Sequence, residues 1–415
     1  MLNLNAIKNI SNLRITNGFF ASSRRDNKKQ LVLFAYYAPL EEDLNQRFHR
    51  LRHFLVDNYD PIIIWALDKK GFNFKDSFCI KEKLNDSESK ISLKTRIISL
   101  PSYVFNLLLN PLWLVYIFLT HEHRKVDICI ACFPIMGVAC AILKKLGKIK
   151  YFVYEDIDFF PGFYRNKLVK FLLSCFERIA IANSNKVICV SEELAGFRRK
   201  TFKNKNIIVI PNGVDYATFS MVQRERQAFP PTIVYAGCLG WFSGLDYVLL
   251  ALALLKNKIP DITLILLGRD DWLRHFSRVS KKIIIEKNLQ PFIKYYGVIP
   301  YRSLPNYLAK ATLGLAINAD SELRKYSCPL KIFEYAAAGL PVIGTDIGEI
   351  KKLIAKYEFG ELVEYTPIKI ADKVYSMLND KQNLQKYSEN AKKFAAQFDW
   401  NSLFDQEMEE IFRRN

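Results

Sequence analysis

Residues 327–345, Ser-Cys-Pro-Leu-Lys-Ile-Phe-Glu-Tyr-Ala-Ala-Ala-Gly-Leu-Pro-Val-Ile-Gly-Thr, decide the fold of this 415-residue chain. Pro329 has a fixed backbone angle that suits the first turn of a helix. Gly339 can adopt the left-handed conformation that ends a helix. The stretch therefore predicts a short helix over Leu330–Ala338, followed by a buried strand over Pro341–Thr345.

Two charged residues of this helix are suited to binding a ligand. Lys331 and Glu334 are three residues apart, so they share one face near the helix N-terminus. A helix N-terminus attracts phosphate, and a lysine there strengthens the attraction. A carboxylate one turn further along would meet the hydroxyls of a ribose. The alternative is an exposed salt bridge between the two side chains, and the pair alone does not exclude it.

The stretch resembles the donor-site helix of the GT-B glycosyltransferases of family 4 (group 1), near the branch of the xanthan glucuronosyltransferase. The family pattern, Pro-Leu-Lys-x-x-Glu-Tyr-x-Ala-x-Gly-x-Pro-Val, is matched at Pro329, Leu330, Lys331, Glu334, Tyr335, Ala337, Gly339, Pro341 and Val342. The resemblance implies that Glu334 binds the donor ribose and that Lys331 binds the diphosphate or the sugar. Relatives commonly have another glutamate eight positions before Glu334, where this chain has Tyr326. The usual contact with the donor sugar is therefore absent or replaced.

The resemblance places a second part of the donor site in the loop from Gly237 to Gly244, where glycines permit a close approach of the backbone to phosphate. The alternative is a plain turn between a strand and a helix. Relatives commonly have an arginine at position 238 and a lysine at position 243, and this chain has Cys238 and Ser243. The resemblance also implies that the backbone at Val298 brackets the nucleobase. The predicted donor-binding residues are Lys331, Glu334, Leu330, Gly237, Gly240, Ser243, Val298 and Tyr326.

Strands and helices alternate along both halves of the chain, which predicts an α/β protein. With the resemblance, this implies two doubly wound parallel-sheet (Rossmann-like) domains that face a cleft, the GT-B architecture. The predicted units are an N-terminal extension over residues 1–30, an acceptor-binding, membrane-facing domain over residues 31–228, a donor-binding domain over residues 229–397, and a C-terminal helix over residues 398–415 that crosses back to the first domain.

Three acidic residues follow the predicted strand Lys150–Tyr154, and open α/β sheets bind ligands at the carboxyl ends of their strands. Glycosyl transfer requires a base that takes the proton of the acceptor hydroxyl. We predict Asp158 as the base, ionised by nearby cations, with Glu155 as the alternative and Asp156 on a solvated loop. Asp156-x-Asp158 also matches the metal motif of the other large glycosyltransferase fold. That fold has one nucleotide domain, so we predict neither a metal nor a cofactor.

A run over Gln46–Leu51, Gln-Arg-x-His-x-Leu, resembles the first helix of one branch of this superfamily. The resemblance implies that Arg47 or His49 faces the cleft, where either residue would contact the acceptor or the donor phosphate. The alternative is a solvated basic face, which is the interpretation we adopt for Arg50 and Arg52.

The net charge of +18 is uneven. Residues 1–228 contain 35 Lys and Arg against 21 Asp and Glu, a net charge of +14. This excess favours an anionic partner such as a membrane surface, and no nucleic-acid-binding motif accompanies it. The apolar stretch Tyr103–Thr120 has about the 18 residues of a membrane span, but Asn106, Asn110 and Pro111 interrupt it. We predict a helix that packs on the sheet and exposes aromatic side chains, with the protein peripheral on the cytoplasmic face of the membrane.

Most of the eight cysteines lie in apolar runs, as buried free thiols do, which favours a reducing compartment. Cys129 and Cys132 share a predicted strand, where alternation places their side chains on opposite faces.

The resemblance implies a glycosyltransferase that moves a hexose from a nucleoside-diphosphate sugar to a lipid-linked or surface-polysaccharide acceptor. Two alternatives stay open. One is a nucleotide-sugar epimerase of the same fold, which needs no acceptor. The other is an inactive relative that binds a membrane or a polyanion, for which the missing arginine, lysine and glutamate are the argument.

Overall fold

The computed structural model describes residues 32–36, 46–59, 62–68, 77–84, 87–93, 103–121, 125–203, 205–221, 230–239, 243–268 and 276–413. The predicted extension over residues 1–30 and the predicted boundary between residues 228 and 229 lie outside these ranges. Within them, the strands form two sheets, one in each half of the chain.

The first sheet has eight strands: β1 (Val32–Tyr36), β2 (Ile62–Asp68), β3 (Ser77–Leu84), β4 (Ser87–Leu93), β5 (Val126–Cys132), β6 (Ile149–Asp156), β7 (Lys186–Cys189) and β8 (Asn206–Val209). Their order is β4-β3-β2-β1-β5-β6-β7-β8. The six strands from β2 to β8 in this order are parallel. β3 and β4 are antiparallel and extend one edge, which the prediction of a wholly parallel sheet missed. Antiparallel neighbours need only a short turn, so no crossover helix marks them in the sequence.

Helices cover both faces of the first sheet. They are α1 (Arg47–Asn58), α2 (Tyr103–His121), α3 (Pro134–Lys145), α4 (Lys167–Asn183) and α5 (Glu192–Thr201), with a 3-10 helix at Phe160–Phe163. The short α6 (Tyr216–Ser220) buries Phe219 in an apolar cluster with residues of the second domain. α2, α3 and α4 bury their apolar residues with Cys129, and α1 buries its apolar residues with Cys132 on the other side. The two thiols therefore lie on opposite faces of β5, as predicted.

The second sheet has six parallel strands: β9 (Thr232–Ala236), β10 (Thr263–Leu267), β11 (Ile293–Gly297), β12 (Leu313–Ala316), β13 (Val342–Thr345) and β14 (Gly360–Val363). Their order is β11-β10-β9-β12-β13-β14. The helices are α7 (Leu245–Leu255), α8 (Lys281–Glu286), α9 (Leu304–Leu308), α10 (Glu322–Tyr326), α11 (Leu330–Ala337), α12 (Gly348–Tyr357), α13 (Pro367–Asn379) and α14 (Lys381–Ala395). Short 3-10 turns lie at Gln290–Phe292, Tyr301–Ser303 and Ala396–Phe398, and a π-helical turn lies at Phe276–Ser280. The two sheets and their helices therefore form two doubly wound domains.

The helix predicted from the opening stretch is α11, and its predicted end is confirmed. Gly339 has a φ of +66°, in the left-handed region. Its N–H donates to the carbonyl of Ala336 at 2.9 Å, and the N–H of Leu340 donates to the carbonyl of Tyr335 at 2.9 Å. These bonds satisfy carbonyls that the helix end leaves free, and the chain turns directly into β13.

The last helix, α15 (Trp400–Phe412), packs on the first domain. Trp400 and Phe404 lie in the same apolar cluster as α1 and the inner residues of β5. The chain passes between the domains twice at one place. There the N–H of Val214 donates to Phe398 at 3.0 Å, and the N–H of Trp400 donates to Val214 at 3.2 Å.

The apolar helix predicted near residue 103 is α2, which packs on the sheet. Leu114 and Phe118 are buried, while Leu112 and Tyr116 are exposed. Within the described ranges, no helix has both the length and the apolar character needed to cross a membrane.

Candidate active site

Helix α11 and the loop after β9 meet at Lys331. Its side chain is buried, and its Nζ lies 3.9 Å from the centroid of the Tyr235 ring. Gly237, two residues beyond Tyr235, has a φ of +127°, which requires a glycine. A Cβ placed on Gly237 would lie 3.7 Å from Cε of Lys331. The lysine predicted to bind phosphate therefore lies against the loop predicted to bind phosphate.

Burial, and then the positive charge of Arg324, lower the pKa of Lys331 to about 7. Near neutral pH this lysine carries only part of its charge, and an anion bound beside it would raise its pKa again. Glu334 is also buried on α11. Burial, and then the negative charge of Glu334, raise the pKa of Tyr301. Lys331 and Glu334 are therefore shielded from water at one end of the helix, not joined in an exposed salt bridge.

Two predicted donor residues lie where the domains touch. The ring of Tyr326 packs against Phe159 and Phe197 of the first domain, with centroid distances of 5.3 and 5.0 Å. Leu330 is half-buried at the start of α11 and packs against the apolar cluster that contains α1 and α15. Both side chains support the placement of α11 against the first domain.

The structure shows no hydrogen bond between Lys331 and the other predicted donor residues that it describes, Ser243 and Val298. The Ser243 side chain is buried, and its Oγ accepts the N–H of Leu245 at 3.3 Å. This hydroxyl therefore accepts a backbone N–H at the start of α7. Val298 is 56% exposed on the loop that follows β11. Gly240 lies outside the described residues.

Asp158 lies on the loop between β6 and the 3-10 helix, and it is half-buried. Burial raises the pKa of Asp158 to about 7 against the opposing effect of Arg324. The prediction that cations keep this carboxylate ionised must be corrected, because its burial outweighs the nearby positive charge. A carboxylate with a pKa near 7 is suited to accept a proton at neutral pH.

Glu155 and Arg47 form an ion pair inside the first domain. The Nε of Arg47 donates to Glu155 at 2.7 Å, and its Nη2 donates to the other carboxylate oxygen at 3.3 Å. Nη2 also donates to Glu407 of α15, and Nη1 donates to the carbonyl of Pro211 at 2.9 Å. Both side chains of the pair are fully enclosed. They join α1, β6 and α15, so the structure corrects the placement of Arg47 on the cleft and of Glu155 as an accessible base.

His49 is buried beside Phe48, with ring centroids 4.5 Å apart. Burial, and then the charge of Arg52, lower the pKa of His49 to about 4, so its ring is neutral at physiological pH. Arg50, which we expected on a solvated face, instead reaches the second domain. Its guanidinium carbon lies 4.7 Å from the centroid of the Tyr301 ring. Arg50 is therefore a residue of α1 that contacts the second domain.

Asp156 is buried, and the prediction of a solvated residue was wrong. Arg198 donates to its carboxylate through Nε at 2.7 Å and Nη2 at 3.2 Å. Nη2 of Arg198 also lies 2.8 Å from Glu177 on α4. Glu177 in turn accepts the N–H of Phe160 at 3.2 Å. This cluster anchors both ends of the short segment that contains Asp158, and it occupies one carboxylate of the Asp-x-Asp pair.

Sequence reasoning missed Arg324, which is half-buried on α10. Its positive charge lowers the pKa of both Asp158 and Lys331, so it acts on the proposed base and on the proposed phosphate ligand. The available signal was the position of Arg324 after β12, at the carboxyl end of a parallel strand.

Hydrogen bonds join the facing edges of the two domains. Ser191 Oγ donates to the carbonyl of Tyr326 at 2.7 Å, and Asn212 Nδ2 donates to the carbonyl of Cys328 at 2.6 Å. These bonds hold the first domain against the segment that leads into α11. The N-terminus of α11 therefore faces the first domain, where Asp158 precedes Phe159, whose ring packs on Tyr326.

Two family models match adjoining parts of the chain. Residues 49–218 match Glycosyltransferase Family 4, and residues 219–394 match Glycosyl transferases group 1. A Bacillus subtilis glycosyltransferase named for teichuronic acid biosynthesis, TuaH, is 26% identical over 256 residues. The match includes 59% of this chain and spans only 60% of the length of TuaH.

Solved structures of low identity show a two-domain GT-B fold. Sucrose-phosphate synthase from Thermosynechococcus elongatus superposes with a TM-score of 0.74 at 18% identity, covering 92% of this chain and 98% of the other. Anabaena Alr3699/HepE in complex with UDP superposes with a TM-score of 0.64 at 17% identity, covering 92% and 99%. The branch near the xanthan glucuronosyltransferase stays a prediction. Together, the two family models show that the chain belongs to the group 1 (family 4-type) glycosyltransferases.

Proposed function

We propose that this protein transfers a sugar from a nucleoside-diphosphate sugar, bound by the second domain, to a hydroxyl of an acceptor bound by the first. The observation that carries the proposal is Lys331, which lies against Gly237 at the N-terminus of α11. The structural neighbour from Anabaena was solved in complex with UDP, which supports a nucleotide as a ligand of this fold.

The residues divide the chemistry between the domains. The acceptor oxygen bonds to the anomeric carbon as the bond from that carbon to the diphosphate breaks. Lys331, Arg324 and the backbone N–H groups of α11 stabilise the negative charge that builds on the leaving diphosphate. Asp158 takes the proton of the acceptor hydroxyl. Glu334 binds the ribose, and a closed cleft excludes water.

We further propose a lipid-linked or surface-polysaccharide acceptor at the inner face of the membrane. The net charge of +14 over residues 1–228 and the exposed apolar residues of α2 support an anionic membrane partner. The name of TuaH, which refers to teichuronic acid biosynthesis, supports a cell-surface polymer.

A scan of the purified protein against nucleotide sugars tests the proposal. The products to measure are free nucleoside diphosphate and the configuration of the remaining donor. We expect slow release of nucleoside diphosphate from one donor, accelerated by the acceptor. Isomerised donor without any release would instead support the epimerase. Tight binding without turnover of any donor or acceptor would support the inactive relative.

Removing the proposed ligands should weaken donor binding selectively. Lys331→Ala should weaken the binding of a nucleoside diphosphate but not that of the nucleoside. Glu334→Ala should weaken the binding of both ligands. Losing a charge-assisted hydrogen bond costs about 1.5–3 kcal/mol, or roughly ten- to a hundredfold in affinity. Isothermal titration calorimetry measures both. Lys369→Ala is a matched control, because Lys369 is an exposed lysine in the first turn of α13.

The pH dependence of the same titration identifies Lys331. Its pKa in the free protein is about 7, and a bound diphosphate raises it, so binding above pH 7 takes up a proton. The affinity should fall as the pH rises from 7 to 9, a range above the pKa of about 6 at which the terminal phosphate itself titrates. Lys331→Ala should remove this slope. Unchanged affinity in both variants, or a slope that survives in Lys331→Ala, would contradict the assignment.

A further inference from the structure

Two helices on one face of the first sheet expose parallel apolar stripes. α4 exposes Leu168, Phe171 and Ile179, with 53, 63 and 40% of each residue accessible. These positions share one side of the helix, since they are spaced by three and eight residues. α2 exposes a similar stripe, formed by Leu109, Leu112 and Tyr116 at 41, 57 and 56%. Six large apolar side chains therefore face solvent in a single helical layer, where a monomer would be expected to show isolated ones.

α3 lies between α2 and α4 and is the most deeply buried of the three helices. Nearly all of it is buried, and it packs in one apolar cluster with Phe118 of α2 and Val169 of α4. The inner sides of α2 and α4 therefore hold the core, and their outer stripes are not needed for it. We call the outer surface of α2 and α4, with the end of α3, the docking face.

All charge on the docking face is positive. The sequences of α2, α3 and α4 contain one acidic residue, Glu177, which is 1% exposed and paired with Arg198. The basic residues of α3 and α4 have solvent access, and they are Lys144, Lys145, Lys167, Lys170 and Arg178. Cations beside an exposed apolar stripe are the pattern of a helix that lies in an anionic membrane interface.

A pocket at the far end of α4 extends the positive surface. It is lined by Lys144, Lys145 and Lys205 together with three asparagines. Lys144 Nζ donates to the carbonyl of Asn183 at 2.8 Å, and Lys205 Nζ donates to the carbonyl of Ser184 at 2.8 Å. Backbone carbonyls fix these two ammonium groups close together, which is a geometry suited to a phosphate oxygen of a lipid headgroup.

We propose that the docking face binds an anionic lipid bilayer, with the stripes of α2 and α4 inserted at the interface and the lysines on the headgroups. A second copy of the chain is a poorer partner. A two-fold symmetric contact would place the same lysines opposite each other without a carboxylate to pair with them.

The docking face continues into the candidate active site. The 3-10 helix Phe160–Phe163 begins two residues after Asp158 and leads to Lys167, the first residue of α4. Leu168 and Phe171 therefore lie at the end of α4 nearest the proposed base. A hydroxyl on a lipid-linked acceptor would enter the cleft directly from the bilayer surface. This last step rests on the proposed function, whereas the docking itself does not.

Co-sedimentation of the full chain with phosphatidylcholine vesicles, with and without phosphatidylglycerol, tests the docking face. Binding should require phosphatidylglycerol and weaken as salt is added. Phe171→Ser should lower the partition coefficient on the order of tenfold, because a large apolar side chain no longer leaves water. Lys167→Ala and Lys170→Ala should lower it about fivefold each. Ile368→Ser is the matched control, since Ile368 is 64% exposed on α13 of the second domain.

Three outcomes would overturn the proposal. One is an equal loss of vesicle binding in Phe171→Ser and Ile368→Ser. Another is binding that does not depend on phosphatidylglycerol. The third is a dimer in light scattering that Phe171→Ser dissociates, which would assign the face to a second copy. Release of nucleoside diphosphate in the absence of vesicles should stay unchanged in Phe171→Ser, so failure of docking and failure of the proposed chemistry are separable.

Discussion

Asp158→Asn should lower the turnover number about a hundred- to ten-thousandfold while the affinity for nucleoside diphosphate stays unchanged. The amide keeps the size and place of the carboxylate but cannot accept a proton. Since the proposed donor ligands are on the other domain, donor binding should not change. Steady-state assays with the donor and acceptor, together with calorimetry, measure the two effects separately.

The pH profile separates a base from a structural carboxylate. The pKa of Asp158 is about 7, so the wild-type rate should fall as the pH drops below 7, and the residual rate of Asp158→Asn should lack this limb. Glu322→Gln is the control, because Glu322 is an exposed carboxylate on α10. Normal turnover in Asp158→Asn would show that Asp158 is not the general base. Chemistry with retention of configuration, which does not need a protein base here, would then be the better hypothesis.

Arg198→Met should lower the free energy of unfolding by about 3–5 kcal/mol, because it leaves the buried carboxylates of Asp156 and Glu177 without their cation. Arg199→Met is a matched control on the same helix. Arg199 pairs with Glu192 at the surface, where an ion pair contributes about 1 kcal/mol or less. Urea unfolding at neutral pH measures both variants.

The loss in Arg198→Met should depend on pH. Burial raises the pKa of Glu177 to about 8 against the opposing charge of Arg198, so the loss of the arginine should raise it further above its unfolded value. The folded variant then favours the protonated form of Glu177, so its deficit should be smaller at pH 5 than at pH 7. Equal stability losses in Arg198→Met and Arg199→Met would show that the cluster is not a structural anchor. Asp156→Asn removes part of the same anchor, so it should also lower the stability of the fold.

The parts that the sequence predicted are those set by short-range patterns. The ends of α11 follow from Pro329 and Gly339, and the opposite placement of Cys129 and Cys132 follows from strand alternation. The sequence separation of Lys331 and Gly237 does not predict that they lie close together, but the family resemblance implies it.

The missed parts depend on residues that are distant in sequence. Arg47 and Glu155 are 108 positions apart, and Arg198 and Asp156 are 42 apart, so no motif joins them. A basic residue on an amphipathic helix has the same pattern whether it meets water or a buried carboxylate. Arg47 and Arg198 meet buried carboxylates because α15 and α5 pack over the sheet. The role of Arg324 likewise depends on tertiary packing and not on a local pattern.

The packing of α15 also has a consequence for synthesis on the ribosome. Trp400, Phe404 and the Glu407 carboxylate complete one face of the first domain, yet they are made after the entire second domain. At the usual elongation rate of roughly 5–20 residues per second, the nascent first domain waits roughly ten to forty seconds with that face uncovered. During this interval Glu407 is not yet available to Arg47, and the apolar side of α1 lacks the partners that α15 provides. We therefore expect the N-terminal half of the chain to finish folding last, although it is translated first.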